Sequence, residues 1–227
     1  MQDIPKYAVI VAGGSGSRMQ SEIPKQFLLL NDKPILFYTI EKFYHFDSSI
    51  RLLLVLPQKD ISYWHTLCLT YNFTIPIEVI AGGDSRYASV KNGLAYIAKQ
   101  NTEALVAIHD GVRPLVKEQV ISESFRIAEQ KGSAVASVAL KDSIRKIAEQ
   151  SSENVPRNAY RLIQTPQTFL FSQIWSAFCS VSNSQELTDD ASVYEKAGFQ
   201  VFLIDGNYEN IKITTPEDLK IALAFLK

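Results

Sequence analysis

Apolar runs of strand length alternate along most of the chain with segments whose apolar residues recur at helical spacing. The strand candidates are residues 6–12, 51–56, 77–81, 104–109, 133–140 and 200–204. The helical faces between them are Trp64, Leu67, Cys68 and Tyr71, and then Val90, Leu94 and Ile97. Their i, i+3, i+4, i+7 spacing is typical of helices with one buried face. The pattern predicts a single α/β domain over 1–227, with a Rossmann-like, mostly parallel sheet and helices on both faces.

The C-terminal segment carries the signals of a helix start. Thr215 supplies a capping hydroxyl, Pro216 fits the first helical position, and two acids follow in the first turn. We therefore predict a closing helix that begins at Pro216.

Residues 141–164 interrupt the alternation with a polar stretch. It holds two short strand candidates, 143–147 and 160–163, around a loop at 149–156. An isolated hairpin is only marginally stable in water, so this protruding β-arm is expected to pack against another surface. A second subunit is the natural partner, whereas a solvent-facing hairpin or a disordered loop fits the pattern as well.

A glycine-rich segment follows the first strand candidate. It reads Ala12-Gly13-Gly14-Ser15-Gly16-Ser17-Arg18-Met19, and Pro24-Lys25-Gln26 comes shortly after. Glycines let backbone N–H groups approach a polyphosphate, and Arg18 and Lys25 can neutralise its charge. The segment lacks the Gly-Lys pair of a Walker A loop, and Met19 stands where a dinucleotide fingerprint needs glycine. A nucleoside-triphosphate loop is predicted, with a simple strand-to-helix turn as the alternative.

Polar side chains also follow other strand candidates, where open α/β sheets bind their ligands. The segments are Gly82-Gly83-Asp84-Ser85-Arg86 with Ser89, then His109-Asp110-Gly111-Val112-Arg113-Pro114, and Lys212 in a short apolar strand. Asp110 can hold Mg²⁺ or orient a hydroxyl, although an Asp-Gly turn alone is more often structural. Lys212 faces away from its apolar neighbours, toward a groove or toward solvent. Thr165-Pro166-Gln167 and Thr188-Asp189-Asp190 fit a turn and a helix cap when taken alone.

Composition and charge exclude several classes of protein. The 227 residues carry 23 basic and 24 acidic side chains without a basic block, so no nucleic-acid-binding stripe is visible. Cys68 and Cys179 lie far apart, which argues against a disulfide framework or zinc site, and both are expected to be buried. The three histidines share no metal-ligand spacing, and G-x-S-x-G is absent. Neither a leader pattern nor a membrane-spanning run is visible, so we expect a soluble, cytoplasmic protein that binds no membrane.

Seven ordered motifs together resemble the 2-C-methyl-D-erythritol 4-phosphate cytidylyltransferase family. They are Gly14-x-Gly16-x-Arg18-Met19, Pro24-Lys25-Gln26, Gly82-Gly83-Asp84, His109-Asp110-Gly111-Val112-Arg113-Pro114, Thr165-Pro166-Gln167, Thr188-Asp189-Asp190-Ala191-Ser192 and Asn210-Ile211-Lys212. The resemblance covers the chain from Lys6 onward. It implies transfer of a cytidylyl group from CTP to methylerythritol phosphate, giving a CDP-alcohol and pyrophosphate in isoprenoid precursor synthesis, with Mg²⁺ as cofactor.

The same resemblance implies roles for individual residues. Ala12, Gly13, Gly83, Asp84 and Ser89 would line the cytidine, Arg18 and Lys25 the triphosphate, and Asp110, Ser143, Arg157, Thr165 and Lys212 the sugar phosphate and the reacting centre. Gly14 and Gly16 would add backbone N–H donors. The segment 141–164 matches a dimerisation arm, so Ser143 and Arg157 would complete the neighbouring site in a homodimer. The chain departs from the family at Ser17, where a second basic residue is common, and at Ser143, where threonine is common.

The implied chemistry is electrostatic. A phosphate monoester is already an anion, so no general base is needed, and catalysis reduces to in-line positioning and charge stabilisation. We expect Lys25, Arg18, Lys212 and Mg²⁺ to supply that stabilisation, with Asp110 holding the metal or the acceptor. A ribitol-5-phosphate cytidylyltransferase and a non-catalytic CTP-binding protein are the alternative functions.

Overall fold

The computed structural model describes residues 4–14, 19, 23–100, 103–182 and 187–226. Its central sheet has seven strands, which are β1 Lys6–Val11, β4 Arg51–Leu56, β5 Glu78–Ala81, β6 Leu105–Asp110, β7 Ser133–Ala139, β10 Arg161–Leu170 and β11 Leu203–Asp205. Their order across the sheet is β11-β7-β10-β6-β1-β4-β5. Only β10 runs antiparallel to its neighbours β6 and β7 in this sheet.

Two short antiparallel pairs and the helices complete the described part of the chain. The pairs are β2 Leu29–Leu30 with β3 Lys33–Pro34, and β8 Ile144–Ala148 with β9 Ser151–Val155. The α-helices are α1 Ile35–Phe46, α2 Ile61–Thr70, α3 Arg86–Ala98, α4 Glu118–Lys131, α5 Phe171–Ser180, α6 Asp190–Lys196 and α7 Pro216–Phe225.

The central strands are buried on both faces because they alternate between two cores. Ala8 and Ile10 of β1 face a core that includes side chains of α1, α2 and α4. Tyr7 and Val9 face the opposite core, which includes side chains of α3, α5 and α6. Strands covered on both faces read as continuous apolar runs, which is why the sequence identifies them. The predicted α/β fold with helices on both faces is confirmed.

The predicted closing helix is also confirmed. It begins at Pro216, and the Thr215 hydroxyl accepts a hydrogen bond from the backbone N–H of Asp218 at 3.3 Å. The Asp218 carboxylate accepts from the backbone N–H of Thr215 at 2.8 Å, which completes a capping box. Among the described residues, no helix is both long and apolar enough to cross a membrane.

The arm exists, but its predicted strand pairing is wrong. β8 pairs with β9, whereas the predicted second strand at 160–163 belongs largely to β10 and pairs with β7. Leu162 lies opposite Val138 in that ladder, so the central sheet takes up the apolar segment. The turn predicted at Thr165-Pro166-Gln167 is wrong for a related reason: these residues lie inside β10, where the register shifts between Ile163 and Gln167.

Two further local predictions are wrong. Lys212 does not lie in a strand of the described structure, since residues 210–214 have no regular secondary structure. That segment is held by a backbone hydrogen bond from the Ile213 N–H to the Val112 carbonyl at 2.9 Å. Cys179 is exposed on the outer face of α5, whereas Cys68 of α2 is half-buried and packs against the edge of the core.

Candidate active site

A cavity of about 290 Å³ opens at the carboxyl ends of β1, β5 and β6. We call it the first cavity. Nine of the predicted site residues line it, namely Ala12, Gly13, Gly14, Lys25, Gly83, Asp84, Ser89, Asp110 and Lys212. Residues that are up to 200 positions apart in sequence thus converge on one space, because parallel strands end at the same edge of the sheet.

A second cavity of about 240 Å³ lies beside the first. Its lining includes Arg113, Ile163, Gln164, Thr165, Gln167, Thr188 and Asp189. Both cavities share Arg86, Asp110 and Lys212, which therefore form a charged wall between them. A ligand in either cavity can reach the same three side chains.

Asp110 is the centre of this wall. Its carboxylate oxygens lie 3.5 Å from Nε of Arg86, 3.3 Å from Nε of Arg113 and 3.0 Å from Nζ of Lys212. Burial alone would raise the pKa of Asp110, but the charges of Arg86, Lys212 and Arg113 outweigh it, so the pKa is lowered. Asp110 is therefore a carboxylate at neutral pH, surrounded by three cations.

Lys212 is the most accessible of the three cations around Asp110. Its side chain is 39% exposed, whereas that of Arg113 is 12% exposed and also donates to the carbonyl of Asn210 at 2.8 Å. The Lys212 ammonium group can therefore contact a ligand phosphate while it still faces Asp110.

Arg86 ends the Gly82-Gly83-Asp84-Ser85-Arg86 segment, but it is not one of the predicted site residues. Its guanidinium binds the Asp190 carboxylate through two hydrogen bonds, at 2.8 and 2.6 Å. Asp190 is 1% exposed at the first turn of α6, where Asp189 is the N-cap and accepts from the Ser192 N–H at 2.9 Å. The helix cap predicted in the Thr188-Asp189-Asp190-Ala191 segment is thus confirmed, and Asp189 is the capping residue. The partner of Arg86 lies 104 positions away, so the sequence offers no local signal for the pair.

Close packing shapes the nucleotide side of the first cavity. A Cβ on Gly83 would lie 2.5 Å from the Cβ of Ala88, so a side chain there would force the backbone apart. The Ser89 hydroxyl accepts a hydrogen bond from the Gly83 N–H at 3.2 Å. A Cβ on Gly14 would lie 3.1 Å from Cε of Lys25, so the absence of a side chain at Gly14 leaves room for the Lys25 side chain to pack against the backbone there.

Thr165 lies in the second cavity, but its hydroxyl group already has partners within the protein. It accepts a hydrogen bond from the Asp110 backbone N–H at 3.1 Å and lies 3.0 Å from Nδ1 of His109. His109 is fully buried, and burial lowers its pKa to about 4, so the ring is neutral at pH 7. Sequence reasoning did not select His109, because an apolar strand commonly carries a buried histidine without a role in the site.

Four predicted site residues are not placed in these cavities. Gly16 and Arg18 lie outside the described residues. Ser143 and Arg157 lie on the arm, are exposed, and are not among the residues that line either cavity. The guanidinium of Arg157 donates to the carbonyl of Lys141 at the base of the arm.

The donor set around Asp110 fits a phosphate better than it fits a metal ion. Within the described ranges, no group of three or more histidine, cysteine, aspartate or glutamate residues could hold a metal. Both Asp110 oxygens already face cations, which a directly bound Mg²⁺ would have to displace. Mg²⁺ in nucleotide sites is commonly held by substrate phosphates with few protein ligands.

The carboxyl edge of this open α/β sheet carries a glycine-rich loop, a lysine beside it and clustered cations. This arrangement suits the transfer of a nucleotide's phosphate, and the class of protein it fits is a nucleotidyltransferase. The family model for 2-C-methyl-D-erythritol 4-phosphate cytidylyltransferase matches residues 7–227. The chain belongs to this cytidylyltransferase family, as its motifs predicted.

Individual relatives agree with the family model over nearly the whole chain. The 2-C-methyl-D-erythritol 4-phosphate cytidylyltransferase of Phocaeicola vulgatus is 46% identical over 217 residues, which cover 96% of this chain and 97% of the relative. That of Azobacteroides pseudotrichonymphae is 46% identical over 222 residues, with 97% and 98% covered. The solved 4-diphosphocytidyl-2C-methyl-D-erythritol synthase of Anaerococcus prevotii has a TM-score of 0.82 at 25% identity, with 98% and 96% covered.

Proposed function

We propose that this enzyme transfers the cytidylyl group of CTP to 2-C-methyl-D-erythritol 4-phosphate, releasing pyrophosphate and CDP-methylerythritol for isoprenoid precursor synthesis. The observation that carries the proposal is the wall of Arg86, Asp110 and Lys212 between two cavities. Two anionic substrates must meet at the α-phosphorus, and an accessible cation on a shared wall reduces the repulsion between them.

In this proposal CTP occupies the first cavity. Ala12, Gly13, Gly83, Asp84 and Ser89 surround the cytidine, whereas Lys25 and Arg18 neutralise the triphosphate, with backbone N–H groups of Gly14 and Gly16 beside it. The methylerythritol phosphate occupies the second cavity, with its phosphate at the accessible ammonium group of Lys212 and its polyol near Thr165. The lining of the first cavity supports this assignment, because its glycines leave space and its lysines supply charge.

The chemical step forms one P–O bond and breaks another. An acceptor phosphate oxygen attacks the α-phosphorus of CTP, and the bond to the β-phosphate oxygen breaks, so pyrophosphate leaves with both electrons. No proton has to be removed from the nucleophile. Lys25 and Lys212 stabilise the charge that develops on the phosphoryl oxygens and on pyrophosphate, whereas Asp110 orients Lys212 and Arg113.

Mg²⁺ enters this proposal with CTP. When bound, it would supply charge neutralisation on the triphosphate, and the phosphates would be its main ligands. The three cations around Asp110 support this assignment over direct coordination by Asp110. We further infer that the enzyme acts in the cytoplasm, where CTP is available.

We also propose that the enzyme is a homodimer whose arms complete the partner's second cavity. Exposed apolar side chains on and beside the arm support this, with Ile147 76%, Leu162 54% and Tyr160 47% exposed. Exposed apolar side chains of this kind would be covered if the segment packed against a second subunit. Ser143 and Arg157 lie on this same segment, so an arm that reaches a neighbouring subunit would bring a hydroxyl and a guanidinium to its acceptor phosphate.

Release of pyrophosphate from CTP tests the proposed function. It should occur with 2-C-methyl-D-erythritol 4-phosphate, proceed more slowly with ribitol 5-phosphate, and stop when the acceptor is omitted. A higher kcat/KM with ribitol 5-phosphate would favour the alternative cytidylyltransferase. CTP binding without pyrophosphate release from either acceptor would show a non-catalytic CTP-binding protein.

A further inference from the structure

Three linked hydrogen bonds connect His109, Thr165 and the backbone of Asp110, next to the charged wall. The ring of His109 lies 3.1 Å, through Nε2, from the carbonyl oxygen of Arg113 and 3.0 Å, through Nδ1, from the Thr165 hydroxyl. The same hydroxyl accepts from the backbone N–H of Asp110 at 3.1 Å. These hydrogen bonds therefore join the end of β6, the following loop and β10.

The chemistry of the partners fixes the proton positions. A carbonyl oxygen only accepts, so Nε2 of His109 carries the ring proton. In the neutral ring Nδ1 is then an acceptor, and the Thr165 O–H donates to it. The Thr165 hydroxyl thus donates one hydrogen bond to His109 and accepts another from the backbone N–H of Asp110.

The register of β10 explains why a side chain is needed at this place. The ladder between β10 and β6 ends at Gln167 opposite Ile108, and the β10 register shifts just before it. The backbone N–H of Asp110 therefore has no ladder partner on β10, and the Thr165 hydroxyl takes that position. Since backbone polar groups inside a protein need partners, this bond fixes the residue that carries the central carboxylate.

We propose that His109 and Thr165 are positioning residues for the transfer reaction: the neutral His109 ring accepts a hydrogen bond from the Thr165 hydroxyl, and that hydroxyl holds the Asp110 backbone so that its carboxylate lies between three cations. The inference rests on the proposed function for its effect on catalysis. The Phe43 ring packs against the His109 ring in a T-shaped contact, with 5.0 Å between the ring centroids.

Thr165→Val and Thr165→Ser separate this role from packing. Valine has nearly the shape of threonine but forms neither hydrogen bond, whereas serine keeps both. Thr168→Val is the matched control, because Thr168 is buried on the same strand and donates to the Ser124 hydroxyl at 2.9 Å, away from both cavities.

The kinetic constants of folded protein should distinguish the three variants. We expect Thr165→Val to lower kcat about 10- to 100-fold with a smaller effect on the KM for CTP, as for other groups that orient a reacting side chain. Thr165→Ser should recover most of that loss, and Thr168→Val should keep the parent kcat even if it lowers Tm. Equal kcat values for Thr165→Val and Thr168→Val would overturn the proposal.

Nitrogen-15 spectra of the imidazoles test the proton positions without any turnover. At pH 7 the His109 ring should be neutral with the proton on Nε2, and its Nδ1 resonance should shift in Thr165→Val but not in Thr168→Val. His45→Gln and His65→Gln assign the other two histidines. A charged His109 ring, or one protonated on Nδ1 alone, would overturn the proposal. Lack of turnover by the parent enzyme would contradict the proposed function and leave this spectral test valid.

Discussion

The ammonium nitrogen of Lys212 lies 3.0 Å from a carboxylate oxygen of Asp110, at the wall that both cavities share. The aspartate is buried and the lysine is accessible, so Asp110 orients a cation that a ligand phosphate can reach.

Lys212→Met should therefore reduce turnover while the fold persists. Loss of one preorganised cation commonly costs about 10²- to 10³-fold in kcat. Lys220→Met on the exposed face of α7 is the matched control and should retain parent activity. Steady-state pyrophosphate release measures both, and a Lys212→Met enzyme within about tenfold of the parent would rule out the role assigned to Lys212.

Lys25 and Gly14 should act as a coupled pair. Lys25→Ala is expected to lower kcat by at least about 10²-fold, because it removes a cation from the triphosphate site. Gly14→Ala should also lower kcat, since its Cβ would lie 3.1 Å from Cε of Lys25. In the double variant Gly14→Ala should add little to the loss from Lys25→Ala. Fully additive effects in this cycle would show that Gly14 acts independently of the lysine.

Mixed dimers test the assignment of Arg157 to the neighbouring site. Lys25→Ala and Arg157→Ala should each be impaired when pure. If the arm acts across subunits, a randomly mixed population should recover about a quarter of parent activity, because one site of each heterodimer then has both intact residues. No recovery after verified subunit exchange would place Arg157 in its own subunit's site. A monomer by light scattering would contradict the dimer itself.

His109 should make the protein less stable as the pH falls. Its pKa is lowered from 6.5 to about 4 by burial, so the unfolded chain takes up this proton at higher pH than the folded protein does. The contribution of the neutral ring is thus complete above pH 6.5 and is lost as the pH falls from there to about 4, a change on the order of 3 kcal/mol.

Chemical denaturation at several pH values measures this effect. The free energy of unfolding of His109→Gln should vary less than that of the parent within this window. Asp110 acts in a separate range, because its pKa is lowered below 3.8, so its contribution is lost only at more acidic pH. Parallel curves for parent and variant between pH 6.5 and 4 would contradict the buried, neutral state of His109.

The sequence predicts the parallel part of the sheet well, because strands that are buried on both faces consist of nearly continuous runs of apolar residues. The run that ends at Val11 and the run from Arg51 are examples, and both are confirmed. β9 is different, since Ser151–Val155 is polar and exposed, and only its pairing with β8 makes it a strand. β10 was missed in part because a proline inside it resembled a turn.

In the charged wall, too, some residues can be predicted from local motifs, whereas the roles of others depend on contacts between residues far apart in sequence. Asp110 and Lys212 could be predicted from their motifs, and the structure brings both to the first cavity. The role of Arg86 depends on Asp190, and that of Thr165 on His109, through contacts that only the folded chain creates. Propensity and spacing carry no signal for such pairs, because each partner is chosen by the packing of different elements.

A crystal structure with CDP-methylerythritol bound tests the central claim most directly, since this product would span both cavities. The account predicts the cytidine beside Ala12 and Ser89, the diphosphate at Lys212, and the methylerythritol near Thr165. A product that lies wholly in one cavity, with Lys212 still turned to Asp110 and no phosphate at the wall, would contradict the account.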